Sequence, residues 1–125
     1  MVEVTKARLS GEVNAIVGDS ENMPIDDGRY TVATCNMSIH HYPHPQKTVN
    51  EMYRILKKDG YLLLNDMDCV APIRAVANII FPRLKAGDVK MYNKEEILAM
   101  MKTAGFKKVK YRKISPFSFQ CIAKK

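Results

Sequence analysis

Val17-Gly18-Asp19-Ser20-Glu21-Asn22-Met23-Pro24, read together with residues 25 to 45, is the stretch that decides the fold. A short apolar run, Ala15-Ile16-Val17, stops at Gly18-Asp19 and gives way to a polar loop. A second apolar run, Tyr30 to Cys35, stops at Asn36 and opens into Met37-Ser38-Ile39-His40-His41-Tyr42-Pro43-His44-Pro45. Two buried strands that each end in a polar loop are the signature of the carboxyl edge of an open α/β sheet. Ligands bind at that edge.

Outward from this stretch the chain alternates strand and helix patterns, which argues for a mostly parallel sheet with helical crossovers. Residues 1 to 10 read as the tail of a helix with Gly11 as its stop, and residues 13 to 18 as the first strand. The Asp26-Asp27-Gly28 turn leads into a second strand over residues 30 to 36. Between Gln46 and Lys57, Val49, Met52, Tyr53 and Leu56 share one helical face. Tyr61 to Asn65 is a continuous apolar run, the mark of a strand covered on both faces.

Pro72 suits the first turn of a further helix, because its missing N–H is not needed there. Ile73, Val76, Ala77 and Ile80 form one face of that helix. Asn93 is a good N-cap with Glu96 as its capping-box partner. Ile97, Met100, Met101 and Ala104 give this helix a buried stripe before Gly105 ends it. Two strands, about 107 to 114 and 117 to 123, then form an antiparallel hairpin-like pair.

The 125 residues fit one domain. An apolar content of 46% beside 26% charged residues is that of an ordinary globular chain. No apolar run is long enough to span a bilayer, and residues 1 to 6 carry no leader pattern, so a cytoplasmic protein without a membrane role is expected. The three cysteines, Cys35, Cys69 and Cys121, are scattered and are expected as reduced thiols. A net charge of +7 admits an anionic partner. Its densest part, Lys107 to Lys113, alternates with Val109 and Tyr111 as a strand with one wet face does. With no recognition motif beside it, a nucleic-acid partner is not expected.

The stretch from Gly18 to Pro45 resembles the class I S-adenosylmethionine-dependent methyltransferases, in particular the small-molecule group that includes the ubiquinone and menaquinone biosynthesis enzymes. Gly18-Asp19-Ser20-Glu21, Met23-Pro24, the run ending at Cys35, His40-His41 and the Pro-rich turn carry the resemblance. It implies a partial Rossmann-like methyltransferase sheet, with strands taken from the family's third onward and a C-terminal antiparallel strand pair. The cofactor implied is S-adenosyl-L-methionine, and the reaction is an SN2 methyl transfer to a small-molecule O, N or C nucleophile.

The family's glycine-rich loop and ribose-binding acidic residue have no counterpart here. The six glycines, at 11, 18, 28, 60, 87 and 105, are dispersed. A single N-terminally truncated domain over residues 1–125 is therefore expected, with Met1 internal to a longer ancestor. Lost neighbours would leave a strand edge bare, so a homo-oligomer, most simply a dimer, is expected.

By the same resemblance Asp19, Ser20 and Glu21 address adenine, and Asn36 and Met37 meet the methionine end of the cofactor. Read without it, Asp19 is equally a loop cap and Asn36 a turn residue. His40, His41 and His44 are the chain's only histidines. An imidazole titrates near neutral pH, which suits a base. His41 matches the family's second histidine and is the candidate catalytic base; His40 and His44 are candidate substrate contacts. Asp66 and Asp68 either bind a substrate amine or hydroxyl, Asp66 being the stronger candidate, or cap the following helix. No metal is expected, because no ligand spacing is standard and Pro43 and Pro45 stiffen the loop.

Residues 67 to 92 lie where the family varies to select substrate, and their apolar content suits an apolar acceptor or a dimer surface. Beside the methyltransferase reading stand two others. One is a non-catalytic, oligomerising remnant, favoured by the missing glycine loop. The other is an RNA-binding or RNA-modifying protein drawn by the basic strand.

Overall fold

The computed structural model describes residues 4, 14–83 and 87–125. The apolar run from Tyr30 forms strand β1 (Tyr30–Asn36), and a crossover helix α1 (Pro45–Ile55) returns the chain to a parallel partner, β2 (Leu56–Met67). Helix α2 (Ala71–Ile80) follows, then α3 (Lys94–Ala104), then an antiparallel hairpin of β3 (Lys107–Ser115) and β4 (Ser118–Lys124). The four strands make one sheet in the order β1-β2-β4-β3. The strand that comes last in sequence sits inside it.

Alternation fixes the buried face. Leu62, Leu64 and Asp66 on β2 stand opposite Ala123, Cys121 and Phe119 on β4, and all six are buried. Helices α1 and α3 cover that face with Val49, Met52, Ile97, Met100 and Met101. The opposite face of β2 is not closed in the same way. Tyr61 is 43% exposed and Leu63 only half-buried. The continuous run therefore does not mark a strand covered on both faces, as expected for a buried parallel strand; apolar groups on its outer face have no layer packed over them among the described residues.

Local chemistry sets the helix ends. Asn93 accepts the Glu96 N–H at 2.8 Å while the Glu96 carboxylate accepts the Asn93 N–H at 2.8 Å, a complete capping box. Gly105 takes φ 100°, the left-handed geometry in which glycine closes a helix, and its N–H returns to the Lys102 carbonyl. At the end of α1 the Lys125 ammonium donates to the Tyr53 and Leu56 carbonyls, each at 2.7 Å. A cation there satisfies orphan acceptors and opposes the helix dipole.

Two further expectations are corrected. Residues 14–18 are not a strand: they carry no ladder pairing, and Ile16 and Val17 are exposed. An apolar tripeptide forms a strand only beside a partner, and the outer edge of β1 has none among the described residues. Helix α1 stops at Ile55, two residues before Lys57, because Leu56 already pairs with Tyr30 across a register shift. The helix expected over residues 1 to 10 and its stop at Gly11 lie outside the described residues, Val4 apart. No described helix is long and apolar enough to cross a membrane.

Phe119 is fully buried in the core, its ring stacked on Tyr111, while Phe117 at the hairpin tip is 68% exposed. Phe119→Ala is expected to cost about 3–5 kcal/mol and Phe117→Ala less than about 0.5 kcal/mol. Urea denaturation of the two variants beside the parent measures both.

Candidate functional site

The parallel strands β1 and β2 end side by side, with Asn36 opposite Asn65, and the loops leaving them define the site. After β1 the Met37 N–H still donates to the Asn65 carbonyl at 2.8 Å. Met37 then turns the chain with φ 49°, a conformation that costs a side-chain-bearing residue energy and concentrates at functional loops. Ser38 steadies the turn, its hydroxyl lying 3.3 Å from Cys35 Sγ and accepting from Tyr42 OH at 3.2 Å. A short 3-10 turn, Ile39–His41, completes it.

Asp66 closes the other side. Its carboxylate is 1% exposed and accepts the Ile39 N–H at 2.8 Å, the Met67 N–H at 2.6 Å and the His40 ring Nδ1–H at 2.5 Å. A buried carboxylate is tolerable only when its lone pairs are filled in this way. His40 is thereby locked, 4% exposed, with Nδ1 inward. Its Nε2 has Asp88 Oδ1 at 3.5 Å. His41 is 42% exposed, and its Nδ1 lies 3.1 Å from Asp88 Oδ1 and 3.2 Å from the Gly87 carbonyl. The loop that brings Asp88 is held by Val89 and Lys90, whose N–H groups both donate to the His40 carbonyl.

His44 does not join this group; its Nδ1 faces Glu21 at 3.0 Å, and Lys47 reaches the same carboxylate at 3.3 Å. Neither Asp66 nor Asp68 caps α2, whose N-cap is Val70 with no side-chain cap. Asp68 instead accepts from Arg74 at 2.9 Å and Tyr111 OH at 3.1 Å, with the Lys113 ammonium 3.3 Å away. Its carboxylate is engaged in holding α2 to β3.

The loop carrying Asp19, Ser20 and Glu21 forms a separate hollow of about 220 Å³, lined by Ile16, Gly18, Asp19, Ser20, Met23 and Ile25 with Pro24. A Cβ on Gly18 would come 2.8 Å from Pro24 Cδ, so only glycine admits this turn. Asp19 Oδ1 accepts the Glu21 N–H at 2.8 Å. The loop is pinned to α1 from below. Thr48 Oγ1 donates to Ser20 Oγ at 3.3 Å, and Glu51 accepts the Met23 N–H at 2.8 Å. Arg54 donates to the Ile25 carbonyl at 2.7 Å, to Asp27 at 2.6 Å and to both Glu51 oxygens at 2.8 Å.

Sequence reading overlooked Asp88, Glu51 and Arg54. The last two had a signal in their i,i+3 spacing on a helix, whereas Asp88 had none. It meets His41 only because a distant loop folds back.

The methyltransferase-domain family matches residues 1–64, half of the chain. The chain belongs to that family. Within it the likeness runs to the class I enzymes of the ubiquinone and menaquinone group. The chain is 28% identical, over 92% of its length, to the ubiquinone/menaquinone biosynthesis C-methyltransferase of Ruegeria sp., of which it covers 56%. It is 29% identical over 80% of its length to the mitochondrial 2-methoxy-6-polyprenyl-1,4-benzoquinol methylase of Rattus norvegicus, covering 37% of that protein. It thus spans about half or less of the curated relatives it matches. A SAM-dependent methyltransferase of Thermotoga maritima superposes over the whole chain with a TM-score of 0.81 at 21% identity, covering 69% of that structure. That likeness establishes the Rossmann-like fold.

The Arg54 guanidinium donates to Glu51 and holds its carboxyl below the ordinary value of 4.5. A depressed folded pKa gives stability that is present above the ordinary value and is lost as pH falls through the folded one. Glu51→Gln is therefore expected to be less stable than the parent at neutral pH but to lose less between pH 5 and 3. Urea midpoints measured across that range check the sign.

Proposed function

We propose that this chain is the catalytic-edge portion of an S-adenosylmethionine-dependent methyltransferase acting on a small-molecule acceptor. The observation that carries the reading is the joined carboxyl edge of β1 and β2, where the His40–His41 turn is fastened by Asp66 and Asp88. The quinone-biosynthesis relatives support a hydroxylated aromatic acceptor of the quinol type. When bound, S-adenosylmethionine supplies a methyl group made electrophilic by its sulfonium.

The residues present fit that cofactor by their donor set. Asp19 Oδ2 accepts no hydrogen bond among the described residues and suits the adenine amine, with Ser20, Glu21 and the Met23 side of the hollow beside it. Asn36 and Met37 would take the methionine end. Beside them the Asn65 Oδ1 is buried with no partner among the described residues, an acceptor that an ammonium group would satisfy.

The proton is the task of His41. Its Nδ1–H donates to the Gly87 carbonyl at 3.2 Å, with the Asp88 carboxylate 3.1 Å from the same nitrogen; together they orient the ring and leave Nε2 with a free lone pair on a half-exposed imidazole. A hydroxyl or activated carbon of the acceptor gives its proton to that nitrogen. His40 is too deeply held to share the role; with Asp66 it positions the turn as a substrate-facing wall, and His44 secures the cofactor loop through Glu21. The outer edge of β1, unpaired among the described residues, supports self-association as a dimer, and a cytoplasmic setting suits the reading.

Calorimetric titration with S-adenosylhomocysteine tests the assignment directly. Micromolar binding that Asp19→Ala abolishes is the expected result; no binding at millimolar ligand would leave the non-catalytic remnant as the better account. With a quinol acceptor, His41→Gln is expected to lower the rate of methyl transfer about 10²–10⁴-fold while leaving S-adenosylhomocysteine affinity unchanged. An unaltered rate would remove the base.

A further inference from the structure

His40, His41 and Asp88 present three ligand atoms, two imidazole nitrogens and one carboxylate oxygen, all within 4.8 Å of one another. The edges between them are informative. Four-coordinate zinc with bonds of about 2.0–2.1 Å separates its ligand atoms by about 3.3–3.4 Å. Here Asp88 Oδ1 stands 3.5 Å from His40 Nε2 and 3.1 Å from His41 Nδ1, values on either side of that edge. The separation at His40 is long for a hydrogen bond and suited to an ion held between the two groups.

A second feature supports the same conclusion. His40 Nδ1 donates to Asp66 Oδ1 at 2.5 Å, and Asp66 is itself filled by the Ile39 and Met67 N–H groups. That bond fixes the tautomer with the Nε2 lone pair directed toward Asp88. Metal-bound histidines are oriented by such a carboxylate on their far nitrogen. Without a cation or proton between them, a lone pair and a carboxylate oxygen would face each other.

We propose that His40 Nε2, His41 Nδ1 and Asp88 Oδ1 form a binding site for a divalent transition-metal ion of the zinc class, with one position left open. The ion replaces the hydrogen bond from His41 Nδ1 to the Gly87 carbonyl and fastens the 87–92 loop to the turn after β1. It also has a consequence for catalysis. An imidazole bound through Nδ1 retains its hydrogen on Nε2 and cannot accept a proton there, so the loaded site silences His41 as a base.

The test uses the full chain, free of any affinity tag and stripped with chelator, titrated with Co²⁺ and then Zn²⁺. One equivalent of Co²⁺ is expected to give the visible absorption of a four-coordinate ion, which Zn²⁺ bleaches. Asp88→Ala and His41→Ala are expected to abolish the band and to weaken Zn²⁺ at least tenfold, while His44→Ala leaves both unchanged. Asp88 lies on a surface loop, so circular dichroism of that variant should match the parent. No band up to millimolar Co²⁺, or a band that survives Asp88→Ala, would overturn the site. The readout is independent of methyl transfer, so its failure and failure of the enzymatic reading are distinguishable.

Discussion

The carboxylate of Asp66 is the constraint on which the site depends. It sits on the buried face of β2, opposite Phe119, in a row that otherwise reads Leu62 and Leu64. A charge in that row would cost several kcal/mol if left bare. Its oxygens are instead occupied by the Ile39, His40 and Met67 N–H groups and the His40 ring. Three of these four donors come from the turn after β1. The cost of burying one charge is offset by drawing a neighbouring strand's loop onto it, and the position of both histidines follows.

A parallel mechanism holds the other loop. Arg54 and Glu51 face residues 19–28 from α1 and satisfy their backbone one group at a time: Met23 N–H, Met23 and Ile25 carbonyls, and then the Asp27 side chain. The segment has no regular structure of its own. Its shape is imposed from outside, chiefly by the Glu51–Arg54 ion pair, with Thr48 on Ser20 and with His44 and Lys47 on Glu21, so both candidate ligand loops take their form from charged side chains on neighbouring elements.

These arrangements explain what could be read in the sequence. The Asn93–Glu96 box and the Gly105 stop were legible because each contact spans a few residues and depends on residue type alone. The crossover and the hairpin were legible from runs of apolar residues. Residues 14–18 misled because strand formation depends on a neighbour, and Ile16 and Val17 find none. His40 and His41 could be nominated from their pairing and from family likeness. Their division of labour could not: it depends on Asp66 burying one ring and Asp88 reaching the other, contacts between residues far apart along the chain. Asp68, on the same face of the pleat as Asp66, went to Arg74 and Tyr111 for reasons no local pattern carries.

The order of the strands also bears on how the molecule comes into being. β2 stands inside the sheet, but its antiparallel neighbour β4 follows it only after α2, α3 and β3, and it must enter between β2 and β3. Until then Leu62 and Leu64 lack the partners Ala123 and Cys121, and α1 lacks the Lys125 ammonium at its end. A nascent chain halted before residue 118 can form the β1–α1–β2 crossover and the α3 helix but no closed core. Until β4 has emerged the crossover unit keeps its apolar face open to chaperones and proteases.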